Sequence, residues 1–355
     1  MTERNRFGAR AAVTALAVVA IVTAACSGGG DDEASGDDPA PTTTAADAAA
    51  APSPGCEAGQ ALPQADLVET QFDIGGASRR YLVSAPAQEE GADPLPVVVD
   101  FHGLAEGAEV HAEMTQLGPM GVDEGFVTVF PHGTGAPVRW DTEPDAAANP
   151  DLAYVAAVLD RVEEERCVDT SRVYATGLSN GAMMSSVVAC TMADRFAAVA
   201  PIAGLMLPEP CEPSRPVPVL TVHGTADPIL LFNGGVGGAA LDAAFGGGEA
   251  PSTTLPPTDL DGPGYPEAVQ GWAELDGCDA ADPHDEAVSD TVTLRTYDCP
   301  EDSPVEFYVV EGGGHSWPSS EFSKSIERIV GPTTFDIDAS QEAWQFFQQF
   351  SLPAP

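Results

Sequence analysis

Gly177-Leu178-Ser179-Asn180-Gly181 is the stretch on which the fold turns. A serine with glycine two residues before and two after it, set between an apolar run and a run of small residues, has the form of a nucleophile elbow. The preceding residues, Ser171-Arg172-Val173-Tyr174-Ala175-Thr176, read as a short buried strand, and 182–189 read as a helix. The turn between them has to be tight. A side chain at either glycine position would clash there, and the hydroxyl is left exposed at the carboxyl end of the strand.

Outward from the elbow, strand-like runs at 68–74, 80–85, 96–101, 126–130, 196–202, 217–222 and 305–310 are interleaved with helical spacings at 110–122, 152–166, 266–275 and 340–350. Val155, Val158, Leu159 and Val162 share one helical face, as do Ala343, Phe346, Phe347 and Phe350. Strands interleaved with helices predict an α/β fold with a mostly parallel central sheet and helices on both faces. No internal repeat is present, and residues 56–355 suit a single domain. The Gly- and Pro-rich segment 233–265 is expected to be a disordered insertion or a cover over the site.

Residues 1–26 are read as an export signal. Arg4, Arg6 and Arg10 precede an apolar run from Ala11 to Ala25, too short for a bilayer span of about 20 residues. The run ends in Thr23-Ala24-Ala25-Cys26, which resembles the lipobox of bacterial lipoproteins apart from Thr23, where an aliphatic residue is usual. That resemblance implies lipidation of Cys26 and a cell-surface, membrane-anchored protein; without it the chain is expected to be secreted. Residues 27–55, rich in Gly, Asp, Ala, Pro and Thr and lacking aromatic and basic residues, read as a disordered acidic tether.

The net charge of −41 leaves no basic stripe to neutralise phosphates, so nucleic acid is excluded as a partner. It favours a neutral or cationic substrate. Of seven cysteines, the six other than Cys26 imply disulfides, with 15 possible connectivities. Spacing favours Cys190–Cys211 and Cys278–Cys299, which leaves Cys56–Cys167. No CxxC motif or close Cys/His pair occurs, so no metal is expected.

A serine hydroxyl needs a base within hydrogen-bond reach and a carboxylate to orient that base, here in the chain order Ser, Asp, His. His315, in Gly312-Gly313-Gly314-His315-Ser316-Trp317-Pro318, follows a buried strand, and its three glycines let the loop fold back toward Ser179. Asp227, in His223-Gly224-Thr225-Ala226-Asp227-Pro228, lies just past another strand and is the expected acid. His223 is read as structural, ordering the turn that presents Asp227, and His284 as part of an exposed acidic turn. The backbone amides of Asn180 and Leu104 are the expected oxyanion donors. Trp317 is expected to wall the acyl pocket, with Trp140 and His102 as further substrate contacts.

His102-Gly103, Gly177 to Met184, 196–204, 223–228 and 312–318 occur together and in order. Jointly they resemble the polyhydroxybutyrate depolymerase/feruloyl esterase family of α/β-hydrolases over roughly residues 65–350. The resemblance implies carboxylic-ester hydrolysis through an acyl-enzyme, without a cofactor, by Ser179, Asp227 and His315. Many members carry Cys after the His-Gly; this chain carries Leu104, which keeps a backbone donor but alters the pocket. The expected partner is a small or oligomeric ester: a hydroxyalkanoate, a hydroxycinnamoyl or acetyl ester, or a simpler one. The alternatives are acyl transfer to an envelope sugar by the same triad, or a surface-binding lipoprotein on an inactive hydrolase fold.

Overall fold

The computed structural model describes residues 50–58, 61–237 and 257–353. The export signal, Cys26 and tether residues 27–49 lie outside the described residues, as do 238–256 of the Gly/Pro-rich segment.

Six parallel strands form the centre of the sheet: β3 (Leu95–Phe101), β4 (Val127–Pro131), β5 (Val168–Leu178), β6 (Ala198–Ile202), β7 (Val219–Gly224) and β10 (Val305–Val310). An antiparallel hairpin of β1 (Ala65–Ile74) and β2 (Ala77–Ala85) extends one flank, and β8 (Asp279–Ala287) with β9 (Val292–Asp298) extends the other. The spatial order is β1-β2-β4-β3-β5-β6-β7-β10-β9-β8.

The valine run of β3 shows why this sheet is covered on both faces. Val97 and Val99 enter one apolar layer with Val155, Val158 and Leu159 of α3 (Pro150–Glu165). Val98 enters the other, with Phe346 and Phe347 of α8 (Ala339–Phe347). Successive strand residues point to opposite faces, so a strand buried on both reads as a continuous apolar run. Asn149 caps α3 by accepting hydrogen bonds from the Asp151 and Leu152 amides, with Pro150 in the first turn.

The remaining helices are α1 (Ala108–Thr115), α2 (Leu117–Glu124), α4 (Asn180–Thr191), α5 (Tyr265–Leu275), α6 (Glu321–Ser325) and α7 (Glu327–Val330). The single helical spacing expected at 110–122 is thus two helices, broken where Gln116 turns to φ 55°. The β8–β9 hairpin is absent from the sequence reading. β8 reads DAADPHDEA and is exposed along nearly its whole length, so no alternation of apolar residues marks it. Acidic residues and a proline suit an edge strand that must not recruit another chain. His284, expected in an exposed acidic turn, lies within this strand, remote from the site.

Three disulfides are present: Cys56–Cys167, Cys190–Cys211 and Cys278–Cys299. Such bonds persist in oxidising compartments outside the cytosol, which makes this an exported protein. The first shortens the expected tether. Ala51 N donates to Asp169 Oδ1 (2.9 Å) and Ser53 Oγ to the Arg166 carbonyl (2.8 Å), so 51–55 lie against the start of β5. Beside the site, a buried pair of Arg79 and Asp151 (2.8 Å) holds the loop after β4, since the second Asp151 oxygen accepts from the Asp141 amide.

Candidate active site

The carboxyl ends of β5, β7 and β10 present Ser179, Asp227 and His315 respectively. Ser179 sits at φ 58°, ψ −118°, in the left-handed region that side chains avoid. Its neighbours impose this. A Cβ at Gly181 would lie 1.9 Å from the Phe101 carbonyl oxygen, and one at Gly177 2.5 Å from the same atom. The chain must therefore pass β3 at these two points as bare backbone, and the serine between them is turned outward.

Asp227 is fully buried with both oxygens engaged. Oδ1 accepts from the Ile229 and Leu230 amides at 2.7 and 2.9 Å, and Oδ2 lies 2.7 Å from His315 Nδ1. Burial alone would raise its pKa, but the charge and hydrogen bond of His315 outweigh it and hold Asp227 below its ordinary range. As the ionised acceptor, Asp227 fixes the proton on His315 Nδ1 and leaves Nε2 free. The loop carrying the imidazole is docked on the acid's loop, because the Ala226 amide donates to the Gly313 carbonyl (2.9 Å).

His223 lies 3.3 Å from Asp227 Oδ2, but its Nε2 donates to the Leu230 carbonyl (2.9 Å) and its ring stacks on Tyr265 at 3.5 Å. Burial lowers its pKa to about 4, so it is neutral and braces the acid's turn.

Ser179 and His315 line one cavity of about 350 Å³. No direct hydrogen bond joins them there; nucleophile–base contacts of this kind often tighten only once substrate is bound. The rest of the wall is chiefly apolar: Leu104, Met114, Pro137, Leu178, Ile229, Ile326, Ile329 and Val330. Leu104 and Ile329 are exposed at 43% and 56%, an apolar rim.

The Asn180 and Leu104 amides have no protein acceptor among the described residues. A second device holds Asn180, unforeseen from sequence. Its side-chain amide pairs with the backbone of Trp140, Oδ1 accepting from Trp140 N (2.7 Å) and Nδ2 donating to Trp140 O (3.2 Å).

Three expected substrate contacts are corrected. Trp317 is 1% exposed and is not among the residues lining the cavity. Its indole donates to Ser340 Oγ (3.0 Å) and meets His111 edge-on, so it is a pillar of the core. Trp140 lies under the oxyanion loop, its indole donating to the His102 carbonyl (2.9 Å). His102 is wholly buried, with Nδ1 bonded to the Gly103 carbonyl (2.7 Å) and Nε2 accepting from the Gly133 amide (2.9 Å). Burial lowers its pKa to about 4, so it staples two loops as a neutral ring. In each case a polar tip that the sequence offers to a ligand is spent on the protein's own backbone or side chains.

Comparison with known proteins places this fold among esterases. The family described as esterase, PHB depolymerase, matches residues 80–249. Feruloyl esterase B of Piromyces equi is 24% identical over 78% of this chain and 46% of its own length. NocK of Nocardia uniformis subsp. tsuyamanensis, provisionally an esterase, is 29% identical over 80% of this chain and 84% of its own. This chain thus spans about half the length of the first of these relatives. Acetyl xylan esterase from Aspergillus awamori shares the fold, with a TM-score of 0.51 at 18% identity over 73% of this chain and 98% of that one. With an elbow, an acid and a base carried on the ends of a parallel sheet, the chain has the α/β-hydrolase fold, and over residues 80–249 it is similar to the esterase, PHB depolymerase family.

Proposed function

We propose that this protein is a serine carboxylic-ester hydrolase. The observation that carries the reading is the buried Asp227–His315 pair opening onto the same cavity as a strained, outward-turned Ser179. Ser179 Oγ attacks the ester carbonyl while His315 Nε2 takes its proton. Asp227 stabilises the imidazolium that forms. The Asn180 and Leu104 amides hold the developing oxyanion, a contribution typically of about 3–4 kcal/mol per donor. His315 then protonates the leaving alcohol, and water releases the acid from the acyl-enzyme. The relatives' names, feruloyl esterase and acetyl xylan esterase, make hydroxycinnamoyl and acetyl esters the first candidates, beside hydroxyalkanoate oligomers. The apolar wall supports an apolar acyl group.

The reading extends to location: residues 1–26 direct export and Cys26 carries the lipid that holds the enzyme at the cell surface. A fluorophosphonate probe is expected to label the wild type on Ser179, and Ser179→Ala to lose both the label and the hydrolysis of p-nitrophenyl butyrate. A wild type that takes no label defeats the enzymatic reading. Intact-mass analysis of the membrane fraction is expected to find a chain beginning at Cys26 with a diacylglyceryl group on its sulfur, and an unmodified Cys26 thiol defeats the anchor.

A further inference from the structure

The cavity contains one charged group that the ester chemistry leaves idle. Apart from His315, Glu106 is the only ionisable residue lining it among the described residues, on a wall that is otherwise largely apolar. A carboxylate in such surroundings is costly unless partnered, and this one is partnered from behind. Its Oε2 accepts from the Gly103 amide at 2.8 Å and lies 3.2 Å from His111 Nδ1. The imidazole of His111 has no exposed surface; its Nε2 meets Asp100 Oδ1 at 2.7 Å, while Asp100 Oδ2 accepts from the Thr115 hydroxyl at 2.8 Å.

Burial would lower the pKa of His111, but Asp100 and Glu106 outweigh burial and push it up to about 10. Burial would likewise raise that of Glu106, but His111 and the Gly103 amide hold it below the ordinary carboxylate range. Glu106 is therefore held as a carboxylate against the His111 imidazolium. It is fixed in place by α1 behind it and by the loop that carries the Leu104 amide. Glu106 Oε1 enters none of these bonds, and the side chain keeps 20% exposure on the cavity wall.

We propose that Glu106 is a specificity-determining residue. Its outer oxygen directs the cavity to esters with a neutral or cationic hydrogen-bond donor near the scissile carbonyl, and against esters with a carboxylate there. This rests on the esterase reading of Ser179 and names the substrate class of that site. The carboxylate cannot swing aside to admit an anion, because His111 and Gly103 hold its other oxygen. It cannot readily be neutralised by taking up a proton, because the imidazolium beside it favours the ionised form.

The test compares p-nitrophenyl butyrate with p-nitrophenyl hemisuccinate, whose acyl groups match in length and differ in charge. Glu106→Gln keeps an oxygen for Gly103 and His111 and removes the charge. The kcat/KM ratio of butyrate to hemisuccinate is expected to fall at least about tenfold in E106Q. It is expected to stay at the wild-type value in Glu301→Gln, whose carboxylate lies before β10 at the opposite end of that strand from His315. The wild type supplies a measurement that does not depend on the variant folding. Its preference for butyrate is expected to persist in 1 M NaCl, where the Debye length is about 3 Å and only a charge at contact still discriminates. An E106Q ratio within twofold of wild type, with Ser179 still labelled by fluorophosphonate, overturns the role of Glu106 alone. So does a wild-type preference that vanishes in salt. A wild type that neither takes the label nor turns over either ester overturns the esterase reading as well.

Discussion

Asp227 does two jobs with its two oxygens, and the division predicts what its amide would do. Oδ1 closes the turn onto the Ile229 and Leu230 amides, while Oδ2 orients His315. In Asp227→Asn the amide oxygen still accepts from the turn, so the fold is kept, but an N–H group now faces His315 Nδ1. The imidazole answers by moving its proton to Nε2, where it can no longer take one from Ser179. Loss of kcat on the order of 10³–10⁴ is expected, with KM within a few-fold of wild type. A D227N enzyme within tenfold of wild-type kcat would remove Asp227 from the mechanism.

At this scale the three strand-end residues were legible, because an elbow serine, an Asp-Pro turn and a glycine-led histidine are local patterns. The cavity wall was not. Ile229, Ile326 and Ile329 look like any surface isoleucine until loops far apart in sequence are brought together. The three aromatic side chains expected at the substrate depart from that expectation for the opposite reason. Trp317, Trp140 and His102 lie beside the right loops, but their N–H groups already have partners inside the protein.

Among the elements, the elbow tolerates the least change. At Gly181 an added methyl group meets the Phe101 and His102 carbonyl groups, which belong to β3 and the oxyanion loop and cannot move independently of the site. Gly181→Ala is expected to cost about 3 kcal/mol or more, at the upper end for overpacking. Differential scanning fluorimetry would show it as a drop of several degrees, or the variant would fail to accumulate. A melting temperature unchanged from wild type would show that β3 can yield.

Buried parallel strands and amphipathic helices announced themselves through runs such as Val97-Val98-Val99 and the shared face of Ala343, Phe346 and Phe347. β8 did not, since an exposed acidic edge strand is held by pairing with β9 and not by burial of its own side chains. The short helices α6 and α7, which place Ile326 and Ile329 at the cavity, are too brief to show a period.

For the molecule as a whole, Asp276 is expected to contribute a pH dependence to stability, beside Glu306, which burial also pushes up to about 7. Asp276 follows α5, accepts from the Val217 amide through Oδ1 and has no partner for Oδ2. Burial pushes its pKa from 3.8 up to about 7. A carboxyl group raised in the folded state stabilises fully below its unfolded value, and that stabilisation is lost as pH rises through about 7. Each unit is worth about 1.4 kcal/mol, so the loss between pH 4 and 8 is a few kcal/mol. Asp276→Asn keeps the acceptor for Val217 and cannot ionise. Its melting temperature relative to wild type is expected to rise from pH 5 to pH 8; parallel curves would show that Asp276 titrates normally.

The Cys56–Cys167 bond fastens the entering chain at the foot of β5, and Ser179 stands at the head of that same strand, 11 residues along. Val168 and Gly177 of β5 pair with Leu95 and Phe101 of β3, so at about 3.3 Å per residue of β3 the foot and head of β5 lie some 20 Å apart. Whatever holds residue 50 therefore holds the molecule by its heel, with the reaction chamber at the far end. A load on residue 50 is thus taken up by the disulfide and the start of β5, at the end of the strand away from the elbow.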